Sequence, residues 1–277
     1  GDSPEALRIR SLKLLRNADA ESFRGIASGL LKSDEPALRS AAAELLAAKW
    51  PQEVVDYIIS AVSTSRDNAE RQNAVSLLLL VKNDPKAKKY LTDLLAASLE
   101  KPDLPILIEL LDVADALKMK AGRTLRAKLD KTAPHRASLE GGDAAAGQKV
   151  FTGHLAAQCL ACHRIGPEGS NVGPELTRIG AKDRGYILES IVDPGAKLAP
   201  GFGMMTATLK DGTALAGALK EETADSITLA LPDGTSRKVS LSEITSRTTP
   251  VSTMPPMGAI LTPREIRDVV EYLSTLK

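Results

Sequence analysis

Cys159-Leu160-Ala161-Cys162-His163 is the stretch on which the reading of this chain turns. It is a C-x-x-C-H sequence, the attachment pattern for c-type haem. Two thiols with two residues between them can each add to one of the two vinyl groups of a single haem. The histidine directly after the second thiol then lies under the iron and supplies its proximal nitrogen. Two plainer readings compete: a chance C-x-x-C beside a histidine, or half of a zinc site. The chain has only two cysteines, so no second pair exists to complete a four-cysteine zinc site. A thioredoxin-type redox pair needs a βαβ context, and none surrounds the motif. The expectation is one covalent haem c held by Cys159, Cys162 and His163.

Iron has two axial positions, and His163 takes one. The other takes a soft thioether, a second imidazole, or no protein group. The best candidate is almost a hundred residues away, in Ser252-Thr253-Met254-Pro255-Pro256-Met257-Gly258. A methionine flanked by proline sits on a stiff loop that can hold its sulfur in place. Met254 is favoured over Met257, and the pair read as ordinary core methionines is the alternative. Met204 and Met205 open a strand pattern and are weaker candidates. His154 reads as a surface residue of the preceding helix, and His135 as a solvated linker residue.

Composition narrows the partners. With 36 basic and 35 acidic residues the net charge is +1, so there is no cationic excess to neutralise phosphates. No nucleic acid is expected as partner. No apolar run is long enough to cross a bilayer. Both cysteines are used by the haem, which leaves no disulfide. Gly1-Asp2-Ser3-Pro4 reads as a trimmed start of a longer protein. Haem c is attached outside the cytoplasmic membrane, so a periplasmic or other extracytoplasmic location is expected.

The chain reads as mostly α, in two domains. Residues 1–135 are helix after helix, with apolar positions at helical spacing in Leu7, Leu12, Leu14 and Leu15, in Leu38, Ala42, Leu45 and Leu46, and in Val75, Leu78, Leu79 and Val81. Breakers separate them at Ser33–Pro36, Trp50-Pro51, Asn83–Pro85 and Lys101–Asp103. Ala6-Leu7-Arg8, Ala37-Leu38-Arg39 and Ala69-Glu70-Arg71 recur about every thirty residues, which resembles a HEAT-like α-solenoid. An irregular bundle is the alternative. Such an array is expected to be a scaffold or docking surface. Residues 136–277 form the second domain, from Asp143, a helix cap, to a strong amphipathic helix at about 263–276. Inserted in it, residues 203–249 alternate as strands do around Asp211-Gly212 and Asp233-Gly234 turns. They predict a small SH3-like or Sm-like barrel, or an open antiparallel sheet.

The order Gly147…Phe151…Cys159-x-x-Cys162-His163…Gly173-Pro174-x-Leu176…Met254-Pro255…Tyr272-Leu273 resembles the class I c-type cytochrome fold. That resemblance implies that the Pro174 carbonyl accepts a hydrogen bond from the second nitrogen of His163. It implies that Leu176 packs on the haem face, and that Gly147 and Phe151 meet Tyr272 where the first and last helices cross. A closer match adds Gly142-Asp143, Val150-Phe151, Val172-Gly173-Pro174, Ile191–Pro194, Leu209–Gly212 and Met254–Gly258. In this order they are similar to the planctomycete and verrucomicrobial type of haem-binding domain. That family carries a small β insertion and often ends large exported proteins with helical repeats and a propeller-type dehydrogenase.

Electron transfer through a His/Met haem is the leading expectation, with a redox partner protein or an attached dehydrogenase domain as its counterpart. On that reading the chain is the electron-transfer module of an oxidoreductase rather than an enzyme by itself. Two readings stand beside it. A vacated sixth position would allow gas binding, sensing or peroxide turnover. A dominant helical array would make the protein a docking scaffold with an accessory haem. No hydrolase or transferase constellation stands out, and no dinucleotide or calcium loop.

Overall fold

In a computed structural model the chain is described over residues 4–15, 20–129 and 133–277. Gly1-Asp2-Ser3 and residues 130–132, on which the expected trimmed start and the end of the helical region fall, lie outside the described residues. The protein is mostly helical with one small antiparallel sheet. It divides into two compact units, residues 1–142 and 143–277.

The first unit runs α1 (Pro4–Leu15), α2 (Ala20–Leu30), α3 (Pro36–Ala47), α4 (Val55–Thr64), α5 (Asn68–Leu77), α6 (Pro85–Glu100), α7 (Leu107–Ala116), α8 (Lys120–Lys128) and a single turn, α9 (Ala133–Arg136). The breaker residues start helices as capping chemistry requires. Asp67 accepts the Glu70 amide at 2.7 Å, and Asp84 accepts those of Lys86 and Ala87 ahead of α6, with Pro85 at its first position. Odd-numbered helices pack on one another in sequence, α1 on α3, α3 on α5 and α5 on α7, while α4 packs on α6 and α6 on α8. Phe23, Leu46, Ile58, Leu78, Leu95 and Leu110 fill the space between them.

The thirty-residue repeat has a physical basis in an ionic ladder. Each triplet ends in an arginine that reaches a carboxylate belonging to the next breaker or helix. Arg8 meets Glu35 at 2.7 Å, Arg39 clasps Glu70 with two nitrogens at 2.7 and 2.6 Å, and Arg71 meets Asp103. The middle rung is the buried one. Glu70 is 2 % exposed and also accepts from Tyr57 Oη at 2.9 Å and Ser65 Oγ at 2.5 Å. Burial alone would push its carboxyl up, but the hydrogen bonds from Arg39, Ser65 and Tyr57 outweigh it and hold the group below the usual carboxylate range.

Two expectations shift in this unit. Of the described apolar residues of α1 only Leu12 is buried, while Leu7 and Leu14 are exposed; α1 packs on α3. His135, expected in an open linker, sits in α9. Residues 136–142 also stay with the helical unit: Ala137 is in its core, and Gln72 Nε2 donates to the Glu140 carbonyl at 2.9 Å.

The second unit begins with α10 (Ala144–Gly153), capped by Asp143, which accepts the amides of Ala145 and Ala146. It continues through α11 (Cys159–Cys162), a tight β1–β2 hairpin (Arg164–Ile165, Glu168–Gly169) and α12 (Arg184–Val192), and ends in α13 (Pro263–Thr275). Thr262 and Glu265 form a capping box at the start of α13. Helices α10 and α13 cross at Gly147, where a methyl group would overlap the Asp268 carbonyl and crowd Tyr272 Cβ. Phe151 and Tyr272 fill the crossing with ring centroids 5.9 Å apart.

Between α12 and α13 lies an antiparallel sheet of six strands: β3 (Gly203–Leu209), β4 (Ala214–Glu222), β5 (Ser226–Ala230), β6 (Ser236–Ser240), β7 (Ile244–Arg247) and β8 (Val251–Ser252). The first four form a meander, and the chain then returns so that β7 and β8 both pair with β3. Gly212 and Gly234, at φ +87° and +85°, make the two Asp-Gly turns. Met205, Ala207, Leu209, Leu215, Ile227, Leu229 and Val239 are the sheet's own core.

The ladder generates a prediction with a sign. A carboxyl held low by its partners contributes stability above the ordinary carboxylate range and loses it as pH falls through its lowered value. Glu70→Gln leaves Arg39 without its partner and is expected to cost about 3 kcal/mol at neutral pH, measured by urea unfolding. That deficit should shrink as pH falls below the ordinary carboxylate range and through the lowered value of Glu70, where the wild-type carboxyl also loses its charge. A deficit of the same size at acid and neutral pH would show that the ion pair is not its source.

Candidate cofactor site

The C-x-x-C-H residues stand on one helical turn. Gln158 takes the left-handed region at φ 43°, unusual for a residue with a Cβ, and this reverses the chain from α10 onto the motif. The His163 amide then donates to the Cys159 carbonyl at 2.8 Å, which closes the turn. Past the histidine, the Gly173 amide donates to the Cys162 carbonyl at 2.7 Å and the Leu176 amide to the Arg164 carbonyl at 2.8 Å. These bonds fold the 166–176 loop back over the motif.

The loop fixes the imidazole. His163 Nδ1 lies 2.8 Å from the Pro174 carbonyl oxygen. A carbonyl only accepts, so Nδ1 carries the proton and Nε2 keeps its lone pair for a metal. Gly173 makes this approach possible, because a Cβ there would stand 2.8 Å from His163 Cε1. Burial pushes the Cys159 thiol above its ordinary value, whereas Cys162 is exposed.

Cys159, Cys162 and His163 line one wall of a cavity of about 380 Å³. Pro174 and Leu176 line it as well, and so do Met254 and Met257, brought there by the chain leaving β8. Met254 is half-buried in a bend directly after β8, and Met257 is buried at 6 % exposure in a short 3-10 turn, Met257–Ala259. The remaining lining is largely apolar, with Phe151, Ile187, Ile191, Leu198, Phe202, Leu261, Val269 and Leu273. The residues suit a haem. Two thiols, one lone-pair nitrogen and a thioether face a single apolar cavity of ligand-binding size.

Other candidates fall elsewhere. Met205 lies in the sheet core, and Met204 is not among the cavity residues. His154 ends α10 with its Nδ1 accepting the Ala157 amide at 3.0 Å, outside the cavity. Among the described residues no three His, Cys, Asp or Glu side chains gather as a metal cluster would. A wider depression in the helical unit, lined by Arg39, Tyr57, Ser65 and Glu70, has those groups bonded to one another. Ile191 and Pro194, from the Ile191–Pro194 stretch quoted for the resemblance, line the cavity at the end of α12. Ile187 and residues 197–202 carried no motif in the sequence; the helical spacing of Ile187 and Ile191 is common to any buried helix.

No family model matches this chain. A stretch of 64 residues is 41 % identical to "Cytochrome c2 iso-2" of Rhodospirillum centenum. The match covers 23 % of this chain and 39 % of that protein. Over that stretch the chain is similar to a c-type cytochrome. Among the described residues no helix is long and apolar enough to cross a membrane.

The unequal thiols give a test on protein without haem. Iodoacetamide reacts with thiolate, so the exposed Cys162 should alkylate before the half-buried Cys159, whose raised value leaves less thiolate at neutral pH. Peptide mass spectrometry over a time course reads the order. Equal or reversed labelling would contradict the burial of Cys159.

Proposed function

We propose that the second unit is an electron-transfer module with one haem c, bound covalently by Cys159 and Cys162 and axially by His163 and Met254. The observation that carries this reading is the convergence of two thiols, an oriented imidazole and a thioether on one apolar cavity. When bound, the haem supplies a one-electron couple at its iron. The protein's part is to hold it. Pro174 sets the His163 ring and its basicity. Leu176 and the α12 isoleucines keep water from the cavity. The exposed Cys162 marks the side open to a partner protein.

Met254 is preferred to Met257 as the sixth ligand on the conformations of the two. Pro255-Pro256 stiffens the chain immediately after Met254 and restricts its backbone. Met257 is already packed in a turn whose carbonyl accepts the amides of Ile260 and Leu261. Its buried side chain serves the pocket wall.

The finer architecture belongs to the same proposal. The second unit is read as a class I cytochrome fold of the planctomycete and verrucomicrobial type. Its meander, with a last strand returning to the first, is read as an SH3-like insertion. The arginine ladder, with steps of 31 and 32 residues at Arg39–Glu70 and Arg71–Asp103, supports a HEAT-like array before it. The array would dock a redox partner or an attached dehydrogenase domain in an extracytoplasmic compartment such as the periplasm.

Matured with haem, the protein should keep its pigment through acid-acetone extraction, as thioether attachment requires. Pigment lost to the solvent would end the haem c reading. Met254→Ala should give a high-spin or ligand-exchanged iron and a lower potential, since loss of the thioether favours the ferric state. Met257→Ala should stay low-spin and cost about 2–5 kcal/mol of stability, as truncation of a buried methionine does. The reverse pattern would make Met257 the ligand.

A further inference from the structure

The inserted sheet meets the cavity where β3 pairs with β8. Strand β3 starts at Gly203, directly after Leu198, Ala199 and Phe202, which line the cavity. On one edge its ladder partner at that end is β8, with Gly203 opposite Ser252 and Met204 opposite Val251, and on the other it is β4. Ser252, Thr253 and Met254 line the same cavity. The first rung of the sheet therefore joins two walls that are about fifty residues apart in sequence.

The connection to Met254 is a specific bond. The Met254 amide donates to Ser252 Oγ at 3.1 Å, and Ser252 Oγ lies 3.4 Å from the Met254 carbonyl. One side chain thus holds both backbone polar groups of the candidate ligand, and its own backbone is in register with Gly203. Farther along, the Thr248 amide donates to the Thr206 carbonyl and the Thr206 amide to Thr248 Oγ1, which fastens the returning chain to β3 again. Gly203 is buried, and its φ is not in the left-handed region, so its conformation does not require glycine. Space does. A Cβ there would lie 2.8 Å from Pro250 Cβ and 2.9 Å from Leu198 Cδ1. Of these, Leu198 is a cavity wall and Pro250 leads into β8.

We propose that Gly203 and Ser252 are positioning residues for the Met254 thioether, and that the inserted sheet acts as a clamp that sets how firmly that sulfur is held. The inference rests on Met254 being the sixth ligand. Met257 has no such dependence. Its turn closes on itself and packs against α12 and α13. A side chain at position 203 must displace both the Leu198 methyl, which can rotate away, and the Pro250 ring, whose shift moves the chain that leads into β8. Loss of the Ser252 hydroxyl leaves the Met254 amide without that acceptor.

The test uses the full chain matured with haem, in five forms: wild type, Gly203→Val, Ser252→Ala, Ser252→Thr and Met254→Ala. Four quantities are read: the long-wavelength absorption of a thioether-bound ferric iron, the reduction potential, imidazole binding to the ferric form, and hydrogen exchange at the Met254 amide. Gly203→Val and Ser252→Ala should keep the haem covalently attached, weaken the thioether band and lower the potential. They should also tighten imidazole binding by about tenfold, the effect of roughly 1.4 kcal/mol lost from the competing internal ligand. Met254 amide exchange should quicken in both. Ser252→Thr, which keeps a hydroxyl, should return all four towards wild type. Ser252→Ala makes the decision if Gly203→Val does not fold. A thioether band that survives Met254→Ala overturns the ligand reading and the clamp with it. A band lost in Met254→Ala but intact in Ser252→Ala, at unchanged potential and imidazole affinity, overturns the clamp alone.

Discussion

The second unit depends on one close approach, the crossing of α10 and α13 at Gly147. Backbone meets backbone there because position 147 has no side chain, and the Asp268 carboxylate accepts the Asp143 amide at 2.9 Å across 125 residues of sequence. This contact brings the two ends of the unit together and makes everything between them a wall or an insertion. The haem motif follows α10 directly, and the methionine segment precedes α13. Helices that meet at one end therefore bring Cys159, His163 and Met254 to the same cavity without any direct link between them. The inserted sheet is tolerated because both its ends leave the same side of the unit, through the β3–β8 pairing.

Local chemistry was the legible part of the site. Cys159, Cys162 and His163 lie within a single turn, so their spacing already contains their geometry. The Pro174 carbonyl, which the cytochrome resemblance placed opposite His163, stands 2.8 Å from its Nδ1, and Gly173 supplies the space. The strands around Asp211-Gly212 and Asp233-Gly234 announced themselves by alternation and turn residues. What the sequence did not disclose was the pairing of distant segments. Nothing in Val251-Ser252 marks it as a partner for the start of β3, since two residues carry no period. Ile187, Leu198 and Phe202 reach the cavity only through tertiary packing, and their types are those of any core.

The helical unit shows the same division. The arginines of the repeated triplets were visible as a period, but their acceptors Glu35, Glu70 and Asp103 follow no common local motif and were found only in space. Burial of Glu70 turns one rung from a surface pair, worth little, into a group that must keep its partner. Leu7 and Leu14 show the opposite failure, since helical periodicity identifies an apolar face and not whether another element covers it.

The central claim is that a single haem iron is bound between His163 and Met254. The most direct measurement is proton NMR of the reduced, diamagnetic protein with methionine methyl groups isotopically labelled. A methyl group held against the iron lies over the macrocycle, whose ring current shifts it far upfield of every other resonance. The account predicts one such methyl, assigned to Met254, with the Met257 methyl in the ordinary range. No upfield methyl, or one that belongs to Met257, would contradict it.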